Sequence, residues 1–343
     1  MTWRIGQPTQ RPAVIQASLQ PSRKLPALEV LPRDLSAYKQ GNTGVDYVHR
    51  FASGKPGPHV LINALTHGNE FCGMVAATHL LDAGVRPKTG MLTVSFSNVE
   101  AYESFDAAKP FDSRQLVHNF NRIWSADWLE GNEDSPELRR ARLMRPVVAA
   151  ADHILDLHST SQDVAPFWVY PGFERNAQAA LAIGRPAVHM VMPSGMNSGT
   201  PLIQHGQHGI ESGPGNGKGA AMVVECGQHF KRASSELATA ITMDFLAHFG
   251  LFDPVPNPMP EAAANAAPKV TPIRLELLHT HVIKTCEFVH VRPLVGFEVF
   301  AKGELIATDG AEEIRAPCDN CTVMMPARIT IVGREGLYLT RPI

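Results

Sequence analysis

The chain has 343 residues, of which 44% are hydrophobic and 19% charged, and its formal net charge is -2. This length favours a large domain with a smaller second one. The net charge is close to zero, whereas nucleic-acid-binding proteins are typically strongly basic. No run of 18 apolar residues occurs and the N-terminus lacks an apolar leader, so we expect neither a membrane span nor a secretory signal.

Five cysteines are an odd and sparse set for a chain of this length. A disulfide framework is therefore not expected, and a reducing cytoplasm is the favoured compartment. Cys318 and Cys321 have the C-x-x-C spacing, but a zinc ribbon needs a second such pair and a redox motif should open a helix after a strand. We interpret the two residues as thiols in a β-rich turn.

Strands and helices alternate along the first 250 residues. Apolar runs of strand length alternate with stretches in which apolar residues recur at helical spacing. This order is typical of an α/β fold with a mostly parallel sheet. The predicted strands cover residues 59–65, 91–97, 154–157 and 221–224, with a further strand near residue 45, and the predicted helices cover residues 74–81 and 135–151.

A Pro- and Ala-rich segment marks the predicted domain boundary. Residues 253–272 contain too few large apolar residues to build a core, and we interpret them as a linker. Residues 1–252 would form the α/β domain, and residues 273–343 a smaller all-β domain of short strands separated by turns. The predicted strands of this second domain cover residues 273–278, 288–291, 298–300 and 328–332.

His67 and Glu70 stand three residues apart, directly after an apolar strand. If the chain turns helical there, both side chains point the same way and can bind one ion. Zn²⁺ accepts imidazole nitrogen and carboxylate oxygen, and a catalytic zinc site has three protein ligands. His158 is the third candidate, because it follows the strand at 154–157 and sites in open α/β sheets gather at the carboxyl ends of strands.

Two carboxylates also lie at or near the carboxyl ends of predicted strands. Glu225 comes directly after the apolar strand at 221–224, where an unpaired carboxylate is costly. A metal-related or catalytic role explains this position better than a surface role, and an ion pair is the alternative. Asp156 lies on the same strand face as His158 and could orient it, although neighbouring strand positions rarely bend back in this way.

Four motifs resemble those of the aspartoacylase and succinylglutamate desuccinylase family, within the zinc carboxypeptidase-like superfamily. Their order and separations match along residues 45–250, and the C-terminal segment is similar to the β appendage of that family. The resemblance implies a mostly parallel or mixed sheet flanked by helices, with a smaller C-terminal all-β domain. The motifs are His67-Gly-Asn-Glu70, Asn119-Phe-Asn121-Arg122, Asp156-Leu-His158-Ser159 and Glu225-Cys-Gly227.

The resemblance implies a catalytic metal centre. His67, Glu70 and His158 would bind one Zn²⁺ per chain. Glu225 would be the general base and acid, which takes a proton from zinc-activated water and hands it to the leaving amine. This chemistry is physically consistent, because zinc brings the pKa of water near neutrality and a nearby carboxylate can complete its deprotonation.

The resemblance also implies a set of substrate contacts. Arg114 matches an arginine that polarises the scissile carbonyl or holds the developing oxyanion, a role suited to a permanent cation. Asn121 and Arg122 match residues that bind a substrate carboxylate, for which a guanidinium offers a planar two-donor fork. For Arg122 a structural salt bridge is the alternative. Tyr338 matches a tyrosine that reaches into the site.

The sequence departs from the aspartoacylases shortly before Glu225. Aspartoacylases carry a tyrosine and an arginine there, which grip the side-chain carboxylate of N-acetylaspartate. Here Lys218 is the only cation between residues 211 and 221, so we expect a different substrate. His205 and His208 lie in the Gly-rich loop at 194–219, which could close over the substrate, but histidines in such a loop are more often solvated.

These inferences predict a zinc-dependent amidohydrolase, a deacylase that cleaves a small N-acyl amino acid or related N-acyl amine. The expected partner is this small molecule, without nucleic acid or membrane, and a homo-oligomer stays open. Alternatives are a metallocarboxypeptidase or esterase of the same superfamily, and a metal-binding protein that is catalytically silent.

Overall fold

A large mixed sheet forms the centre of the protein in the computed structural model, which describes residues 25–193, 198–211, 218–253 and 271–343. The alternation of strands and helices predicted from the sequence is present in the first 250 residues. The strands there are β1 (Val48–Ala52), β2 (His59–Ala64), β3 (Met91–Phe96), β4 (His153–Thr160), β5 (Phe167–Pro171), β6 (Val188–Met192) and β7 (Ala221–Gln228). The helices are α1 (Phe71–Asp82), α2 (Val99–Glu103), α3 (Ala126–Glu130), α4 (Pro136–Ala150), α5 (Glu174–Ile183) and α6 (Arg232–His248).

The C-terminal segment is built from short strands. Four of its strands extend the large sheet, and the other three form a separate antiparallel sheet. The strands are β8 (Ile273–Val282), β9 (Val289–His290), β10 (Val299–Phe300), β11 (Leu305–Asp309), β12 (Glu312–Arg315), β13 (Cys321–Met324) and β14 (Glu335–Pro342). Cys318 lies in the turn before β13 and Cys321 begins that strand, so the prediction of two thiols in a β-rich turn is confirmed.

The 11-stranded sheet has the order β1-β3-β2-β4-β7-β5-β6-β8-β14-β13-β10. Strands β3, β2, β4 and β7 run parallel to one another, whereas β5 is antiparallel to β7 and β14 is antiparallel to β8. The predicted fold class, a mixed sheet flanked by helices with a smaller C-terminal β region, is confirmed. The division into two domains stays a prediction, because residues 254–270 of the linker lie outside the described residues.

Alternating side chains of the central strands supply a core on each face of the sheet. Val60 and Ile62 of β2 pack with α1 and α6, whereas Leu61 packs on the opposite face with α4. All three are fully buried, and burial of such side chains contributes roughly 1.5–3 kcal/mol each. Parallel strands covered by helices on both faces are apolar at successive positions, which is why the sequence predicted them well.

The predicted strand at residues 328–332 is wrong. These residues form an irregular segment, and the strand begins at Glu335 as β14. Pro326 lacks a backbone donor and Gly333 has a φ of 85°, so two turn-forming residues bracket the apolar run. Among the described residues, no helix is long and apolar enough to cross a membrane.

Candidate metal centre and active site

Three buried side chains converge at the carboxyl ends of β2 and β4. His67 Nδ1 lies 2.8 Å from Glu70 Oε1, and His158 Nδ1 lies 2.9 Å from Glu70 Oε2. The atoms that could bind a metal all lie within 4.8 Å of one another. The three predicted metal ligands are therefore brought together. The local backbone differs from the expected helix, since His67 and Glu70 lie in a turn and α1 begins at Phe71.

The outer nitrogen of each histidine has its own partner. His67 Nε2 lies 3.0 Å from Asn119 Oδ1, and His158 Nε2 lies 2.9 Å from Asp156 Oδ2. An acceptor at Nε2 places the ring proton there, which leaves the lone pair of Nδ1 facing Glu70. With both Nδ1 atoms unprotonated, two imidazole nitrogens and a carboxylate would all be acceptors, so the group fits a cation between them. Zinc is suited to this donor set.

Asp156 orients His158, although the sequence argument gave this role little weight. Asn63 Nδ2 and Thr66 Oγ1 each donate to Asp156 Oδ1 over 2.8 Å, so the carboxylate is held from its other side. We expect Asp156→Ala to weaken zinc binding by about 10–100-fold, because the ring of His158 would lose its fixed orientation. Competition with a chromogenic chelator measures this affinity. Asp163→Ala, at an exposed ion pair with Lys231, is the control, and equal affinity in both variants would refute the role.

Burial and neighbouring charges shift the pKa values of the three clustered side chains. Burial and the nearby Arg114 lower the pKa of His67 to about 4. Burial opposes ionisation of Glu70, but its contacts with His67 and His158 outweigh this effect and hold the pKa of the carboxyl well below its ordinary value. Burial also disfavours the charged form of His158, yet Asp156 and Glu70 raise its pKa well above the ordinary value. A carboxylate at the centre of the cluster favours a bound cation.

Glu225 lies beside the cluster because β7 pairs with β4. The parallel register places Glu225 opposite His158, so both side chains emerge on the same side at neighbouring strand ends. Its Oε2 atom is buried and has no hydrogen-bond partner among the described residues. Burial and the negative charge of Glu70 raise the pKa of Glu225 to about 8. The side chain lines a cavity of about 570 Å³, so it can act on a molecule held there.

A glycine allows Arg114 to approach the cluster. Gly68 N donates to Arg114 O over 3.1 Å. A Cβ atom on Gly68 would lie 2.4 Å from both Ser113 O and Tyr102 N, so no larger residue fits without moving backbone. Arg114 Nη1 donates to Glu70 Oε1 over 3.1 Å. The predicted Arg114 is therefore next to the candidate metal centre and also lines the cavity.

Arg122 is bound to the C-terminal strand β14. Its Nε donates to Glu335 Oε1 over 2.8 Å, and its Nη2 donates to Tyr338 Oη over 2.9 Å. Its Nη1 donates to Asn121 O over 2.8 Å, and Asn121 Oδ1 accepts from Leu202 N over 3.0 Å. Glu335 and Tyr338 line the cavity, whereas Asn121 and Arg122 lie behind them. A substrate role for these residues stays a prediction.

His205 and His208 are buried rather than solvated, which corrects the sequence expectation. His205 Nδ1 lies 3.0 Å from Trp124 O, and burial lowers the pKa of His208 to about 4. Neither residue lines the cavity. Residues 194–197 and 212–217 of their loop lie outside the described residues. Lys218, the cation before Glu225, forms an ion pair with Asp152 at 3.4 Å.

His229 and Arg334 line the cavity and were not predicted from the sequence. His229 Nδ1 lies 2.8 Å from Ser159 Oγ, and burial lowers the pKa of His229 to about 3, so the ring is neutral. Its position four residues after Glu225, at the same strand end, was the available signal. Arg334 belongs to the segment at 325–334 that forms one wall of the cavity. The wrong strand prediction for this segment hid it.

Comparison with known proteins agrees with this architecture. Residues 56–207 match the family model for the succinylglutamate desuccinylase/aspartoacylase catalytic domain, which confirms the predicted resemblance. The succinylglutamate desuccinylase of Vibrio cholerae is similar in structure, with a TM-score of 0.62 at 16% identity over 87% of this chain and 86% of that chain. No curated protein matches the chain in sequence.

Two further solved structures are similar in fold. The succinylglutamate desuccinylase/aspartoacylase of Rhodobacter sphaeroides has a TM-score of 0.58 at 16% identity, over 84% of this chain and 87% of that chain. The ectoine utilization protein EutE (DoeB) of Ruegeria pomeroyi, in a product-bound structure, has a TM-score of 0.56 at 17% identity, over 88% of this chain and 92% of that chain. At these identities the likeness concerns the fold alone.

Proposed function

With a match to the catalytic domain of a deacylase family as the premise, we propose that this chain is a zinc-dependent amidohydrolase. Its reaction is hydrolysis of the amide bond of a small N-acyl amino acid or related N-acyl amine. One observation carries the proposal. The buried cluster of His67, Glu70 and His158 stands next to Glu225, which lines a ligand-sized cavity and has a carboxylate oxygen without a hydrogen-bond partner among the described residues.

The residues of the site divide the work of hydrolysis. His67, Glu70 and His158 would hold Zn²⁺, which would supply the Lewis acidity that polarises a carbonyl and brings the pKa of water near neutrality. Glu225 accepts the proton of the attacking water and returns it to the nitrogen of the leaving amine. Burial and the charge of Glu70 raise the pKa of Glu225 above its ordinary value. A bound cation would lower this pKa, and a carboxyl group that titrates near neutral pH both accepts and releases a proton.

Arg114 supports the polarised carbonyl. Its guanidinium reaches Glu70 at 3.1 Å and the residue also lines the cavity, which supports a role in stabilising the charge that the carbonyl oxygen gains. A fixed cation in a site that excludes water stabilises such a charge more than water does. Asn121, Arg122 and Tyr338 complete the proposal as residues that bind or shape the carboxylate end of the substrate.

The cavity favours a small substrate. Its volume of about 570 Å³ lies in the range of small-ligand sites, and the C-terminal segment at 325–334 and Tyr338 close it on one side. A longer peptide would have to pass this wall, which favours a deacylase over a carboxypeptidase. The sparse cysteines fit a cytoplasmic enzyme.

A panel of acyl compounds tests the proposal. Zinc-loaded and chelator-stripped protein would be incubated with N-acetyl and N-succinyl amino acids, dipeptides and acyl esters, and the release of amine or alcohol would be measured. We expect zinc-dependent hydrolysis of at least one N-acyl compound. Cleavage of dipeptides or esters alone would assign the chain to a peptidase or esterase. Stoichiometric zinc with no turnover across the panel would overturn the proposal in favour of a silent metal-binding protein.

A further inference from the structure

One cation of the cavity wall has no ion-pair partner among the described residues. Arg334 lines the cavity and is half-buried, and its side chain forms no ion pair or hydrogen bond within the described part of the chain. Burial and the positive charge of Arg114 both lower the pKa of Arg334. Arg114 and Arg334 thus belong to the wall of one cavity, to which Arg328 also belongs. Such an arrangement costs free energy unless an anion joins it.

The carboxylates near Arg334 have other partners or form no ion pair with it. Glu335 forms its ion pair with Arg122 at 2.8 Å, and Glu70 belongs to the metal cluster. Asp112 also lines the cavity and its charge acts on Arg334, but the two form no ion pair among the described residues. Arg122 therefore has an ion-pair partner within the protein. Glu335 and Asp112 act on Arg334 through their charges without forming an ion pair with it, so its guanidinium donors are available to a ligand.

A second polar group of the same cavity lacks a partner. The side-chain nitrogen of Gln162 is buried without a hydrogen-bond partner among the described residues, and Gln162 is 5% exposed. The residue lines the cavity together with Arg334. An unpaired amide donor and an unpaired guanidinium in one cavity are complementary to an acceptor with several lone pairs. A carboxylate has this chemistry.

From these observations we propose that Arg334 binds a carboxylate of the substrate and determines specificity for it. The proposal rests on the proposed amide hydrolysis and deepens it. A guanidinium holds a carboxylate through two parallel N–H donors. Since Arg334 and Arg114 line the same cavity, a small molecule bound there could present its carboxylate to Arg334 and its carbonyl to Arg114. The substrate is thus a short N-acyl compound, with the anion either on the acyl part or on the amine part.

Binding of product-like probes tests this assignment without turnover. Dissociation constants for succinate and succinamate would be measured by calorimetry on the zinc-loaded protein. The two probes share one carboxylate, and the other end is a carboxylate in succinate and a neutral amide in succinamate. The ratio of their dissociation constants therefore measures the contribution of the second carboxylate to binding. L-alanine and L-alaninamide form a matched pair for an anion on the amine part. The variants are Arg334→Gln and Arg334→Lys, with Arg341→Gln as a control at an exposed ion pair with Glu276 on β8.

We expect the wild-type protein and Arg341→Gln to prefer the charged member of one probe pair by about tenfold or more. Arg334→Gln should abolish this preference, and Arg334→Lys should restore part of it. The probe pair whose preference is lost in Arg334→Gln shows whether the bound carboxylate belongs to the acyl part or to the amine part of the substrate. Equal preference in wild type and Arg334→Gln, or no preference in the wild type for either pair, would overturn the assignment. Because binding is measured, this result is independent of whether the panel of acyl compounds reveals turnover.

Discussion

Glu225→Gln is expected to lower kcat/KM for the N-acyl substrate by about 10²–10⁴-fold, the usual contribution of a general acid–base group. Glutamine has nearly the same size, so the cavity keeps its shape, but an amide cannot take the proton of the attacking water. Glu225 is not one of the three clustered ligands, so the variant should retain about one zinc per chain. Initial rates and metal analysis on the same sample measure both quantities.

A matched carboxylate variant controls for the removal of charge. Glu276 lies on β8 in an ion pair with Arg341, away from the cavity, and Glu276→Gln should keep the wild-type rate and zinc content. A Glu225→Gln protein with full zinc and a normal rate would remove Glu225 from the mechanism. If the variant instead loses zinc, Glu225 is a metal ligand rather than the base.

The metal cluster could be predicted because it depends on strand ends. Buried parallel strands are recognisable as continuous apolar runs, and their carboxyl ends meet at one edge of the sheet. His67, His158 and Glu225 each follow such a run, so the sheet alone brings them near one another. The parallel register of β4 with β7 then sets His158 opposite Glu225. The order of strands and helices in the sequence was therefore enough to predict that these residues lie close together.

Contacts that depend on irregular backbone were not predictable in the same way. Asp156 contacts His158 from two positions away in the same strand, where β4 has a register shift after His158. Regular strand geometry argues against such a contact. Arg334 lies in a segment whose apolar residues alternate with polar ones, which is typical of a strand, but here they form a wall of the cavity. Long-range pairing, such as that of Arg122 with Glu335, leaves no local signal in the sequence.

Glu335→Gln is expected to lower the free energy of unfolding by about 3 kcal/mol, the lower end for breaking a buried ion pair. The side chains of Glu335 and Arg122 are each 15% exposed. Glutamine can still accept one hydrogen bond from Arg122, but the guanidinium charge loses its counterion in a place that water barely reaches. Urea denaturation followed by circular dichroism measures the change. A variant as stable as the wild type would show that the pair does not hold β14 in place.

The double variant Arg122→Met/Glu335→Leu separates the structural role of this pair from a substrate role. Replacing both charges by apolar groups removes the unpaired ion, so most of the stability lost in Glu335→Gln should return. We also expect the double variant to keep the preference for succinate over succinamate, or for alanine over alaninamide, that the wild type shows. Arg334 is unchanged in this protein, and its charge acts on the ligand without help from Arg122. A stable double variant that has lost this preference would make Arg122 the carboxylate-binding residue, as the family resemblance implies.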